Sequence, residues 1–287
     1  MAVYRRGYQR YNEGLTSHAA RLMVMPRFTW ERMLGQKFVL ILIVVSMFWP
    51  LLCAGFVYLA NHSELWQGFD GGFKKFLAIN GNFFSIFMKA QSVYALILAS
   101  VAGPGLIAPD LANNALPLYF SRPLTRGDYI LSRMIVLLGL LSIVTIVPGM
   151  LLFGMQVGMA GGDWFWQNWY LGAAIFTGFA LYIVTVSLVA MTSSAYVKWR
   201  VVAGAMVLAF FFLLAGAAEM VNSVFRVEWA SAFNPGYAIG AVWAEMLDIE
   251  IPDDKPGALE CATFLLALAS GLLALLARKL RAVEVVK

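Results

Sequence analysis

The chain has 287 residues, 61% hydrophobic and 13% charged, with a formal net charge of +5. Soluble domains carry ~25% charged residues; here the charges are sparse, cluster between long apolar runs and accompany a mean hydropathy of +0.75, which excludes one or two soluble domains and describes a polytopic helical membrane protein. A closed barrel is excluded too, because the apolar runs are continuous and do not alternate over segments of ~10 residues.

The position of the basic residues decides what the positive charge means. Segments 1–37, 108–133, 192–200 and 278–287 hold 16 Lys and Arg, whereas the alternating segments 61–89, 154–170 and 219–258 hold five. Eleven of the 16 carboxylates fall in the second set or, as Glu260 does, just beyond it. This bias places both termini in the cytoplasm and an acidic face outside, in a multi-pass protein of the cell (plasma or inner) membrane. The lipid bilayer is therefore an expected partner and nucleic acid is not.

In chain order, residues 1–37 form a cytoplasmic tail and amphipathic helix, 38–277 a transmembrane domain and 278–287 a second cytoplasmic tail. Tyr4, Tyr8 and Tyr11 interleave with arginines, a mixture that suits either an anionic lipid surface or a loosely ordered tail. Pro26 to Lys37 sets Phe28, Trp30, Met33 and Leu34 among charges, as in a helix lying in the interface. The first apolar run continues for 23 residues, longer than the core of a secretory signal, and is expected to stay in the bilayer. Six spans are predicted: 38–60, 86–107, 130–153, 171–191, 201–218 and 258–277. Each matches a hydrocarbon core of ~30 Å at a rise of ~1.5 Å per residue. Lys89 and Arg133 near span ends read as snorkelling anchors.

Between the second and third spans lies a polar interruption, Gly103 to Arg133. Pro104 predicts a kink or end at Gly103. Pro109 suits the first turn of a new short helix with Asp110 at its positive end, and Pro117 limits that helix to roughly two turns. Thr125-Arg126-Gly127-Asp128 has capping-box spacing, so the next span starts at Thr125.

Further on, Gly161 to Tyr170 reads as an outer loop whose Trp164, Phe165, Trp166, Trp169 and Tyr170 form an aromatic belt. Ala232 to Leu247, broken by Asn234-Pro235-Gly236, reads as one short helix at the outer interface or dipping into it before the last span. The acidic run Asp248 to Asp254 is a solvated loop. Within the spans, Gln91, Ser92, Ser142, Thr145, Thr177, Thr185 and Ser187 either line a route for an amphipathic substrate or bond between helices and to their own backbones.

Ser-Arg-Pro-Leu-Thr-Arg-Gly-Asp-Tyr-Ile, set between a short acidic helix and a new span, resembles the cytoplasmic coupling region of type-2 ATP-binding-cassette transporter permeases of the bacterial exporter class. The resemblance is specific over residues 106–134 and loose over the six-span layout. One departure is Asp110, where the family often carries Glu. The resemblance implies a coupling helix that docks on a nucleotide-binding ATPase subunit through Asp110, Asn113, Asn114, Arg122, Pro123, Leu124, Thr125, Arg126, Asp128 and Tyr129. It also implies a connecting helix before the first span and a second permease chain, identical or similar, to complete the pathway.

No Gly-Lys pair occurs, so a phosphate-binding loop is absent and ATP with Mg is expected in the partner subunit. Cys53 and Cys261 lack metal-ligand spacing, and His18 and His62 lie in polar segments without ligand neighbours. No catalytic, metal or cofactor site is expected in this chain, and a membrane enzyme is the least favoured class. The alternative to a permease is a non-transporting scaffold or sensor that recruits a cytosolic partner. A cysteine introduced at Asn113 should be shielded from impermeant thiol reagents added to intact cells and labelled after lysis; labelling from outside would overturn the orientation.

Overall fold

The computed structural model describes residues 17–62, 78–120, 125–197 and 199–280, and among them every regular element is helical. Helix α1 (His18–Leu34) precedes span one, which is α2 (Lys37–Ser46) continued by α3 (Phe48–Asn61). Span two is α4 (Gly81–Ala102) running into α5 (Pro104–Ala112), and α6 (Leu116–Phe120) follows. Span three is α7 (Arg126–Val144) with α8 (Ile146–Ala160), span four α9 (Gly162–Tyr196) and span five α10 (Arg200–Phe225). A 3-10 turn (Trp229–Phe233) and α11 (Pro235–Met246) lead to span six, α12 (Ala258–Lys279). All six spans are long and apolar enough to cross a bilayer.

The expected number and order of spans agree with this architecture, and the differences lie at the ends. Helix α1 starts at His18 instead of Pro26, because the Ser17 hydroxyl accepts from the Ala20 amide (3.3 Å) and Pro26 is carried inside the helix. Span two starts at Gly81 instead of Ile86, capped by Asn80. Span five continues past Ala218 to Phe225, so Glu219 and Asn222 are helical. The expected loop at 161–170 is instead the beginning of α9. Gly161 alone makes the turn, with φ +90°, and the chain then kinks at Asn168. Trp166 and Trp169 are exposed there as a belt, while Trp164 and Phe165 pack on Phe153.

Span four is the axis of the bundle. In its apolar stretch 72% of residues are buried, against 22% in spans one, five and six, whose outward side chains are free to meet lipid. Three spans are broken at a proline, and the reason is backbone chemistry. A proline cannot donate to the carbonyl four residues earlier, and in lipid no water replaces it. Pro50 thus strands the carbonyl of Ser46 at the α2–α3 break, and Pro148 strands that of Val144 at the α7–α8 break. Fully buried Gln91 of α4 serves both: its side-chain amide donates to Ser46 (3.1 Å) and Val144 (2.6 Å).

Of the other polar residues predicted within the spans, five bond locally. Ser142, Thr145, Thr177 and Thr185 return to carbonyls four residues back, and Ser92 to one three residues back, the local bonding expected of such hydroxyls in spans. Ser187 is buried without a hydrogen-bond partner among the described residues.

Two tryptophans latch the peripheral helices onto this frame. Trp30 of α1 lies against Gly139 of α7, where a Cβ would collide with its ring, and donates to the Val136 carbonyl (2.9 Å). Trp243 of α11 lies against Gly178 of α9 and donates to its carbonyl (2.9 Å). Small residues permit such close approach inside membranes. The helix before the last span therefore buries one face, Ala238, Ile239, Val242 and Trp243, in the bundle.

Gln91→Leu keeps the volume but leaves both carbonyls without a donor. It should lower unfolding stability in detergent by roughly 1–3 kcal/mol. An unchanged melting temperature would show that the carbonyls have other partners.

Candidate functional site

The polar segment between spans two and three folds as two short helices rather than one. Pro104 strands the Ser100 carbonyl and occupies the first position of α5. Ser194 of α9 reaches into this break. Its hydroxyl accepts from the amides of Ile107 (3.2 Å) and Ala108 (2.9 Å) and donates to the Pro104 carbonyl (3.1 Å), tying the start of α5 to the central span.

This geometry corrects the expected place of Asp110. Pro109 lies inside α5, and Asp110 sits in its last turn, at the negative end of the helix dipole rather than the positive one. Both prolines suit a first helical turn, and contact with Ser194 selects Pro104. Helix α5 is ended by Asn113 and Asn114, not by Pro117. Asn114 takes a left-handed conformation (φ +50°), with Ala115 N donating to Asp110 O (2.8 Å) and Asn114 N to Leu111 O (3.3 Å), the bond pattern of a Schellman motif. Pro117 then falls in the first turn of α6.

At the far side of the segment the capping box forms as expected. The Thr125 hydroxyl accepts from Asp128 N (3.2 Å), and the Asp128 carboxylate accepts from Thr125 N (2.8 Å). His18 of α1 approaches the same carboxylate (3.3 Å). Arg126 is exposed on this first turn.

A carboxylate at a helix C-terminus needs compensation, and span three supplies it. Arg133 donates to the Asp110 carboxylate (2.5 Å) and the Tyr129 hydroxyl donates to the same oxygen (2.7 Å). The other end of the Arg133 guanidinium donates to Thr29 of α1 (3.0 Å). Arg133 is only 7% exposed and stacks near the rings of Tyr129 and Tyr119, 5.3 and 6.0 Å from their centroids. Instead of reaching to headgroups as an anchor, it turns inward and joins α1, α5 and α7.

The expected site residues therefore divide. Asp110 and Tyr129 meet in the buried network, whereas Asn113, Asn114, Thr125 and Arg126 are exposed at the end of the bundle. Asp128 is partly buried by its cap, and Arg122, Pro123 and Leu124 lie outside the described residues. Sequence reasoning missed Arg133, Thr29 and Ser194 as members of the site. Arg133 was detectable in principle, four residues after Tyr129 and so on the same helical face. Nothing local marks Thr29 or Ser194. No protein family and no curated protein matches this chain.

Asp110→Asn leaves the Arg133 charge buried without its counter-ion and should cost about 3–5 kcal/mol of unfolding stability. The double substitution Asp110→Leu with Arg133→Met should regain most of that loss in the same denaturation measurement. A single variant as stable as the parent would show that the pair does not clamp α5.

Proposed function

We propose that this chain is the membrane-spanning permease subunit of an ATP-driven exporter of the type-2 ATP-binding-cassette class, seated in a plasma or inner membrane with both termini in the cytoplasm. The observation that carries the reading is a braced lever at one end of the bundle. The exposed turn Asn113-Asn114 and Leu118, which is 72% exposed, project from α5 and α6. Behind them, α5 is held by Ser194 to span four and by Arg133 to span three and α1. A load applied to the exposed tip would pass directly into three membrane elements, which is what a coupling helix must do.

In this reading a separate ATPase subunit binds ATP with Mg and presses on the tip, with Arg126 among its contacts; Arg122, Pro123 and Leu124 join the docking set by the family resemblance of their sequence alone. Motion of α5 then works against the proline breaks of spans one, two and three. Such breaks give a helix two rigid halves that can reorient without melting either. A second permease chain completes the path for the exported substrate.

The purified chain alone should lack ATPase activity and should co-purify with a separately encoded ATPase. Arg122→Glu with Arg126→Glu should weaken that association by about tenfold or more, read by pull-down and by ATP-dependent transport in vesicles. Unaltered association and transport would remove these residues from the docking site. A pull-down holding a cytosolic partner without nucleotide hydrolysis would favour a scaffold or sensor instead.

A further inference from the structure

Beside the Asp110–Arg133 pair lies a cavity of about 590 Å³ between α1, α5, α6 and the start of α10. Three guanidinium groups line it, those of Arg32, Arg133 and Arg200, against a single carboxylate, Asp110, which Arg133 already neutralises. Arg32 has no ion pair among the described residues. Arg200 makes one side-chain hydrogen bond, to Gln36 (3.0 Å), and its guanidinium lies over the backbone at Gly105. The buried side chain of Arg133 leaves its Nε donor without a partner among the described residues. The lining of the cavity is thus short of negative charge.

Beside Thr29, Gln36 and Tyr119 the rest of its wall is mainly apolar, and part of it is open to the outside. Phe28 is 66% exposed and Val24 51%, both on α1, with Leu106 and Met33 deeper in. A small soluble anion has no use for such a rim. An anionic amphiphile uses both parts, because acyl chains cover the apolar wall while the headgroup meets the guanidiniums.

We propose that this cavity binds an anionic glycerophospholipid, its phosphate held by Arg32 and Arg200, its acyl chains against Phe28 and Val24. The bound lipid wedges α1 against α5, the two elements that Thr29 and Asp110 already join through Arg133. Planar guanidinium groups match phosphate oxygens, and such charge-assisted bonds are the strong ones. The ligand comes from the bilayer and not from an ATPase, although Leu118 of the exposed tip also lines the cavity.

The full chain in neutral detergent would be titrated with dihexanoyl phosphatidylglycerol, dihexanoyl phosphatidylcholine and inorganic phosphate at constant ionic strength, with binding read by native mass spectrometry and calorimetry. The anionic lipid should bind about tenfold or more tighter than the zwitterionic one, and Arg32→Gln with Arg200→Gln should abolish that preference. If the double variant melts differently without lipid, Arg32→Gln alone carries the test, because the Arg32 side chain makes no ion pair among the described residues; it should reduce the preference. Equal binding of the two lipids, a preference that survives substitution, or no binding at all would overturn the proposal. Phosphate binding as tightly as phosphatidylglycerol would also overturn it and leave a site for free anions.

Discussion

The structure depends on one constraint: inside a bilayer, each carbonyl that loses its helical donor must find another within the protein. Proline creates such carbonyls at fixed places, and this chain meets the need with side chains from neighbouring spans. Gln91 donates to Ser46 and Val144, joining span two to spans one and three at the level of the breaks in those two. At the third break the logic reverses, since the Ser194 hydroxyl of span four takes up the amides at the start of α5 as well as donating to Pro104. The same residues that interrupt the helices therefore also specify which helices are neighbours.

That arrangement explains why the polar segment is rigid at its root and exposed at its tip. Asp110 stands where the helix dipole disfavours it, and the buried Arg133 compensates while reaching Thr29. Both members are largely buried, at 8% and 15% side-chain exposure, so removing one would leave the other poorly solvated. Helix α1 is held twice, by Thr29 to Arg133 and by Trp30 to the Val136 carbonyl. An amphipathic helix that would otherwise float in the interface becomes part of the bracket around α5. Movement at the tip cannot be confined to one span.

The two ends of the bundle differ in how they are closed. At the acidic end, α11 is fastened by Trp243 to Gly178 and Tyr237 donates to the Pro256 carbonyl (3.1 Å), so apolar packing dominates. At the basic end, closure relies on charge: Asp110 with Arg133, and Asp128 with its cap and His18. Charge interactions are directional and can be exchanged for those of a partner or a headgroup, whereas packed apolar side chains have no such alternatives.

Some of this was legible in the residues alone. The six spans follow from apolar length against bilayer thickness, and the capping box at Thr125 follows from a spacing of three, because both are local properties. The aromatic positions were legible at 164–169, but not that they are helical, since a helix and a loop present the same residues there. Asp110 was misplaced because Pro104 and Pro109 are equivalent by local rule; the choice belongs to Ser194, far away in sequence. Arg133 near a span end fits an anchor or an ion pair equally, and only the approach of α5 turns it inward. Gln91 likewise fits a pathway or a backbone partner equally by composition, and the positions of Pro50 and Pro148 across the bundle make it a clamp. Local chemistry thus determined which stretches cross the bilayer, while long-range contact decided which polar group a stranded donor or acceptor would meet, because in lipid that partner must come from another helix.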